Sequence, residues 1–234
     1  MRKGGSRNAQ GRQVEGVLTG WGRHPRVPGR ELVGEDLRKI TRGAVLTRGL
    51  GRSYGDSSLP PPGVREVVAT PLADRILSFD AATGLLTAEA GLSLAEMNRA
   101  LLPRGWFTPV TPGTRYVTLG GMVAADVHGK NHHVAGTFGR HVESLTLRLA
   151  GRGGEPGEIV RCSRQERPEL FRATLGGMGL TGHVLEVAVR LERVPSPWIR
   201  AESERYPSLE PLLHGLDSAS REWPMTVAWI DCLA

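Results

Sequence analysis

The sequence predicts an α+β fold in which strands outnumber helices. Three observations carry this: short apolar runs of strand length separated by Gly, Pro and Asp turns, few stretches with helical spacing, and the composition of a globular chain. With 234 residues, 39% hydrophobic and 23% charged, the chain is long enough for one large domain or two small ones with a sizeable core, and too apolar for disorder. Its 31 glycines and 16 prolines follow no period, which excludes collagen and simple repeats. No apolar run approaches the roughly 18 residues that a bilayer helix needs. Arg2 and Lys3 are not followed by an apolar h-region, so no cleaved secretory signal is expected.

Met1 to Glu15 read as a mobile tail, followed by Val17 to Arg23 with Trp21 between glycines. Ala44 to Arg48 start a strand that runs into Gly49-Leu50-Gly51-Arg52-Ser53-Tyr54-Gly55-Asp56, whose glycines no helix would accept. Val64 to Thr70, Ile76 to Asp80 and Leu85 to Ala90 are strands of small hairpins, punctuated by Pro71, Asp80 and Thr83-Gly84. Ser93-Leu94-Ala95-Glu96 is a capping box, with Leu94, Met97 and Leu101 at helical spacing up to the stop at Pro103. A second helix begins at Thr118 or Leu119 and passes through Gly120, Gly121 and Ala125. Strands follow at Val142 to Leu149 and Glu158 to Cys162, then a helix from Pro168 to Leu175 with proline in its first turn. Val187, Val189 and Leu191 alternate as a half-buried strand should. Pro195-Ser196-Pro197 marks a boundary, and the residues after it are too few for a core of their own.

Cys162 and Cys232 are too few for a disulfide framework and lack CxxC spacing, which fits a reducing compartment. The net charge of +6 comes from scattered arginines, with lysine only at 3, 39 and 130. Aromatics do not interleave with them, so nucleic-acid binding is not expected; phosphorylated substrates or anionic lipid suit such a surface better. Gly177-Met-Gly-Leu-Thr-Gly182 spells G-x-G-x-x-G, but it precedes a strand where a Rossmann fingerprint precedes a helix. A kinase would need further motifs that are absent. The Arg48 to Asp56 loop lacks the G-K-[ST] ending of an ATPase, yet its backbone amides have the makings of an anion nest. Pro112-Gly-Thr-Arg115 with Thr118-Leu-Gly-Gly121 is expected to bring helix amides to the same phosphate. Asp126-Val-His-Gly-Lys-Asn-His-His133, with His141 beyond, matches no zinc spacing, and no metal is expected.

Taken in order, these four segments resemble the flavin domain of the decaprenylphosphoryl-β-D-ribose 2-oxidases, within the vanillyl-alcohol-oxidase or PCMH-type FAD flavoproteins. The resemblance runs from about Leu18-Thr-Gly-Trp-Gly22 to the C-terminus. It implies two α+β subdomains over residues 16–194 with FAD extended between them, and the start of an incomplete substrate domain over 195–234. The first loop, here Thr47, Arg48, Gly49, Leu50, Gly51, Arg52, Ser53, Tyr54, Gly55, Asp56 and Ser57, is implied to wrap the pyrophosphate. Gly113 and Thr118, Leu119, Gly120 and Gly121 approach from the second subdomain. Ala125, Asp126, Val127 and His128 lie along the flavin, and Val184 sits near the adenine. Relatives with covalent flavin carry histidine where this sequence has Arg52, so non-covalent FAD is expected.

The implied chemistry is hydride transfer from a sugar carbon to flavin, by an oxidase or dehydrogenase acting on CH-OH groups. His128 is the candidate group to orient or deprotonate a hydroxyl, Tyr54 to hydrogen-bond, and Lys130 to neutralise reduced flavin or substrate phosphate. The implied partners are a sugar, polyprenyl-phosphate-linked by analogy, and a short-chain-dehydrogenase epimerase. A cytoplasmic position or a peripheral one at the membrane is expected. Trp223 to Ala234 resembles the first strand of a substrate domain that continues further in the family, so a truncated product, split enzyme or gene remnant is expected. The alternatives are a sugar-alcohol or aldonolactone oxidase and an inactive FAD-binding module.

Overall fold

The computed structural model describes residues 11–153 and 155–232. The tail expected through Glu15 is a strand from Arg12 onward; residues 1–10 lie outside the described residues. β1 (Arg12–Leu18) and β2 (Val27–Val33) form an antiparallel hairpin paired over seven residues. β1 is exposed along most of its length, so no apolar alternation announces it, and backbone pairing holds it.

From β2 the chain passes through the short helix α1 (Leu37–Ile40), capped by the Asp36 side chain accepting from Lys39 N–H. It then enters β3 (Thr47–Arg48), makes the glycine loop, and returns as β4 (Glu66–Ala69). β2 and β3 both run parallel to β4, giving the sheet order β1-β2-β4-β3. Loops leaving the carboxyl ends of parallel strands are where α/β sheets place ligands.

The second sheet is antiparallel. β5 (Ile76–Asp80) and β6 (Leu85–Glu89) close over an Asx turn in which Asp80 Oδ1 accepts from Ala82 N–H at 2.8 Å. The helix α2 (Leu94–Leu101) starts as its capping box dictates, with Ser93 Oγ accepting from Glu96 N–H. After β7 (Trp106–Phe107) comes α3 (Leu119–Ala124), capped by Thr118, and then the short α4 (His132–Ala135). β8 (Val142–Arg148) and β9 (Ile159–Ser163) follow, then α5 (Pro168–Thr174) and β10 (His183–Arg190). The order β5-β6-β10-β8-β9 makes β10 the central strand. It was expected to be half-buried, but Ala188 is buried as well as Val187 and Val189. α3 packs on it, and the α1 residue Arg38 reaches Glu186 of β10 at 2.9 Å. β11 (Glu192–Arg193) pairs with β7.

Leu37, Ile40 and Val68 from the first sheet's region belong to the same apolar core as Leu86, Leu119, Met122, Leu145 and Val187. Two buried polar groups pin the sheets together. Arg148 donates to Thr41 Oγ1 at 2.9 Å and to the carbonyls of Arg38 and Gly157. His183 Nε2 donates to the carbonyl of Ala44 at 3.0 Å, and burial pushes its imidazole below its usual range.

Beyond residue 194 lies α6 (Leu209–Glu222), which buries none of its residues. The strand expected at Trp223 to Ala234 does not form among the described residues of that stretch, and 233–234 lie outside them. Among the described residues 224–232 are irregular, and a strand without a neighbouring ladder has nothing to satisfy its amides. Thr226 N–H donates instead to the carbonyl of Lys130 at 3.1 Å. Among the described residues no helix is long and apolar enough to cross a membrane.

Candidate cofactor site

A cleft of about 610 Å³, open to solvent, lies where the ends of β3, β4 and β6 meet the start of α3 and the turn before β10. Of the residues singled out in the sequence, it is lined by Thr47, Arg48, Gly49, Ser53, Ser57, Thr118, Gly120, Gly121, Ala125 and Val184. Ser58, Thr70, Ala90, Ala124, Met178, Gly179 and Gly182 complete the lining. No carboxylate is among them, which suits an anionic guest.

The first loop is shaped by Arg48, whose guanidinium is nearly buried. It donates to Glu31 Oε1 at 3.1 Å, to the Ser58 carbonyl and hydroxyl at 3.2 and 3.0 Å, and to the Thr19 carbonyl at 2.7 Å. These bonds tie both ends of the loop to β2 and to the segment after β1. Gly51 turns over this guanidinium with φ +66°, and a Cβ there would collide with it. Among the described residues, no amide from Gly49 to Ser58 donates to a backbone carbonyl. The hydroxyl oxygen of Ser57 is buried with no partner among the described residues. Unpaired amides beside an orphaned hydroxyl on an acid-free wall are what an anion-binding nest requires.

The second segment does not do what was expected of it. Leu119 N–H donates to the Leu92 carbonyl at 2.9 Å and Gly120 N–H to the Ala90 carbonyl at 2.8 Å. Gly121 N–H is taken by Thr118 Oγ1 at 3.2 Å. These helix amides are spent on the chain itself, and Leu119, fully buried, sends its side chain into the core. The glycines serve close approach. A Cβ on Gly120 would stand 3.0 Å from Ala90 Cβ, and one on Gly49 would stand 2.5 Å from Thr118 Oγ1. Loop and helix are thereby packed against each other across the floor of the cleft.

The remaining candidates lie outside the lining. Leu50 accepts from Arg52 through its carbonyl at 2.6 Å, and the Arg52 guanidinium stands 5.9 Å from the ring centre of Trp21. Tyr54 is 83% exposed at the loop's outer turn, followed by Gly55 with φ +62° and by Asp56, whose carbonyl accepts from Leu59 N–H. Gly113 is also outside. Asp126 is committed to structure, accepting from Gly139 N–H at 2.7 Å. Val127 N–H donates to Met122 at the end of α3, and its carbonyl accepts from Phe138 N–H. His128 is exposed and bridged to Thr137, with its ring 6.0 Å from that of His132. Lys130 is exposed as well. No cluster of three or more metal-ligating side chains occurs among the described residues.

The G-x-G-x-x-G hexamer finds its role here. Gly176 N–H and Met178 N–H donate to the Val123 and Ala124 carbonyls at the end of α3, so the turn closes that helix and then presents Met178, Gly179 and Gly182 to the cleft. The hexamer's lack of a Rossmann context was a signal for such a role. Nothing local marks Thr70 and Ala90, which reach the cleft because their strands end there.

The family model described as FAD binding domain matches residues 38–163, more than half of the chain. Decaprenylphosphoryl-beta-D-ribose oxidase of Mycolicibacterium smegmatis is 37% identical over 93% of this chain and 48% of that protein. An uncharacterized protein of Streptomyces coelicolor is 38% identical over 61% of this chain and 37% of its own length. A putative D-arabinono-1,4-lactone oxidase of Neurospora crassa is 28% identical over 66% of this chain and 26% of its own. The chain thus spans half or less of the length of these relatives. It belongs to the FAD-binding domain family, and the unpaired loop amides and orphaned Ser57 hydroxyl fit the pyrophosphate of that cofactor.

Proposed function

We propose that residues 16–194 are the FAD-holding part of an oxidoreductase that takes hydride from a carbinol carbon of a sugar, and that 195–234 begin its substrate domain. The observation that carries this reading is the acid-free cleft whose wall is a loop with unpaired amides and the orphaned Ser57 hydroxyl. FAD supplies the electron acceptor when bound. The amides between Gly49 and Ser58 and the Ser57 hydroxyl donate to the pyrophosphate, while Arg48 holds the loop in shape. Ala125 and Val184 line the cleft; in this reading Ala125 would lie along the flavin and Val184 near the adenine.

FAD is held non-covalently: Arg52 offers no imidazole for a bond to flavin, and its guanidinium is engaged with Leu50 and Trp21. His128 orients the substrate hydroxyl and accepts its proton, Tyr54 hydrogen-bonds to the sugar, and Lys130 offsets negative charge. His128 lies three residues beyond the cleft residue Ala125, on the loop that leaves α3. The name of the M. smegmatis relative supports a polyprenyl-phosphate-linked sugar as substrate; a short-chain-dehydrogenase epimerase is the partner of this proposal. The likeness to a lactone oxidase favours a second reading, an aldonolactone or sugar-alcohol substrate.

The test is a visible spectrum of the purified chain before and after acid precipitation. Flavin bands that pass into the supernatant are the expected result; flavin retained in the pellet overturns non-covalent binding, and a colourless chain that takes up no added FAD overturns the whole reading. His128→Ala is expected to slow flavin reduction by about 10²- to 10⁴-fold, the usual contribution of an acid–base group, while FAD uptake is kept. Reduction by a polyprenyl-phosphate sugar and not by lactones separates the two substrates.

A further inference from the structure

The turn that closes α3 onto the cleft carries a residue its backbone does not favour. Leu180 N–H donates to the Gly177 carbonyl at 2.9 Å, and the two residues between them, Met178 and Gly179, have φ of +51° and +83°. Two successive positive φ values are what a type I′ turn requires, and its first central position is normally taken by Asn, Asp or Gly. Methionine has neither glycine's freedom there nor a short polar side chain to bond its own backbone. Three other non-glycine residues among those described have positive φ: Arg23, Asp126 and Arg167. None of them lines the cleft, and Asp126 has a local reason in the bond its carboxylate accepts from Gly139 N–H at 2.7 Å.

The conformation is imposed from outside the turn, because Met178 N–H donates to the Ala124 carbonyl at the end of α3 at 2.8 Å. The side chain belongs to neither apolar core, so packing within the fold does not account for a methionine here. It lines the cleft instead. Apart from Met178, Val184 and Arg48, the described residues of that lining are Gly, Ala, Ser and Thr, and the Arg48 guanidinium is spent on Glu31, Ser58 and Thr19. Met178 therefore brings a long apolar side chain to a wall of short ones. Strained backbone that persists beside a ligand cleft points to a side chain placed for the guest, and an unbranched, polarizable thioether suits the edge or face of an aromatic ring.

We propose that Met178 grips the bound dinucleotide: its side chain lies against a ring system of the cofactor, and the left-handed backbone is retained because it directs that side chain into the cleft. The loop amides and Ser57 meet the charged middle of the guest, and Met178 with Val184 supplies the apolar part of the hold. This rests on the reading that FAD occupies the cleft. Both ring systems of FAD, adenine and isoalloxazine, offer the aromatic surface that a thioether takes, and the experiment separates them.

The experiment is fluorescence titration of the full chain with FAD, paired with denaturant unfolding in the absence of FAD, for wild type, Met178→Gly and Met178→Leu. Met178→Gly is expected to bind FAD about fivefold more weakly, the scale of one thioether–aromatic contact. Its apo form should be no less stable than wild type, because glycine is at ease at positive φ. Met178→Leu keeps the apolar bulk and is expected to bind FAD within about twofold of wild type. Titration with ADP in place of FAD assigns the ring: a parallel loss of ADP affinity in Met178→Gly places Met178 on the adenine, and unchanged ADP affinity with weakened FAD places it on the isoalloxazine. Wild-type FAD affinity in Met178→Gly overturns the proposal. So does a clear loss of apo stability in that variant, since the methionine would then serve the fold. Failure of wild type and both variants alike to take up FAD is a distinct result, which overturns the cofactor reading itself.

Discussion

Two glycine-bearing segments face the same cleft, and they treat their backbone amides in opposite ways. Among the described residues no amide from Gly49 to Ser58 donates to a backbone carbonyl, while Leu119, Gly120 and Gly121 all donate within the chain. The glycines follow suit. Gly51 is needed because the chain turns through positive φ over a buried guanidinium; Gly120 is needed because α3 presses against the end of β6. Glycine content therefore marks two different needs, and only the hydrogen-bond accounting separates an anion cradle from a packing floor.

The largest effect is expected at the cradle. Gly51→Val forces a β-branched side chain into left-handed backbone and displaces Arg48, at a cost of about 2 kcal/mol or more, so FAD affinity should fall at least roughly thirtyfold by this estimate. Flavin fluorescence titration measures it, and wild-type affinity would break the assignment of the loop. Thr118→Ala removes the cap that accepts from Gly121 N–H and is expected to lower unfolding stability by about 1 kcal/mol. It should weaken FAD binding far less than the Gly51 variant does; an equal loss would return α3 to the role of phosphate binder.

Ser57→Ala sharpens the comparison in the other direction. Deleting a buried hydroxyl that has no partner leaves the apo chain as stable as before or slightly more so. It removes one donor to the bound anion, about 1 kcal/mol, or roughly fivefold in affinity. Denaturant unfolding without FAD and titration with it give the two halves of this result, and a destabilised apo chain would mean that the hydroxyl serves the fold.

The smallest effect concerns the pin between the sheets. His183 is held below its usual value near 6.5 first by burial and also by the Arg148 charge, against the opposing pull of its bond to Ala44. The unfolded chain therefore takes up a proton before the folded one does. Stability is unaffected by this group above about pH 6.5 and is lost as pH falls from there through the depressed folded value. Thermal unfolding of wild type and His183→Gln between pH 7 and pH 5 checks it: the variant should have the shallower acid slope, and parallel slopes would remove His183 from the account.

Much of the fold was legible. The capping box at Ser93, the Thr118 start of α3 and the Asp80 to Gly84 turn each rest on local chemistry that survives folding unchanged. The hairpin of β1 and β2 was not legible, since β1 is exposed nearly throughout and β2 carries Pro28-Gly29, a pair poor in strand interiors. α6 was hidden by Pro211 and Gly215 within it, both poor in helix interiors. At the site, the first loop was recognisable from its glycines and serines, but Thr70, Ala90 and the cleft-facing turn at Met178 come from distant strand ends and a helix terminus.

The sequence by itself determined the α+β class, the order of most elements and the loop that forms one wall of the cleft, because turn residues, caps and apolar periodicity act over a few neighbouring positions; the FAD-binding family entered through the resemblance of four whole motifs and the match to the family model. Only the tertiary structure decided which amides stay free for a guest and where Arg48 spends its guanidinium. Those outcomes depend on which distant carbonyl or side chain arrives within hydrogen-bond reach, and no local pattern encodes that.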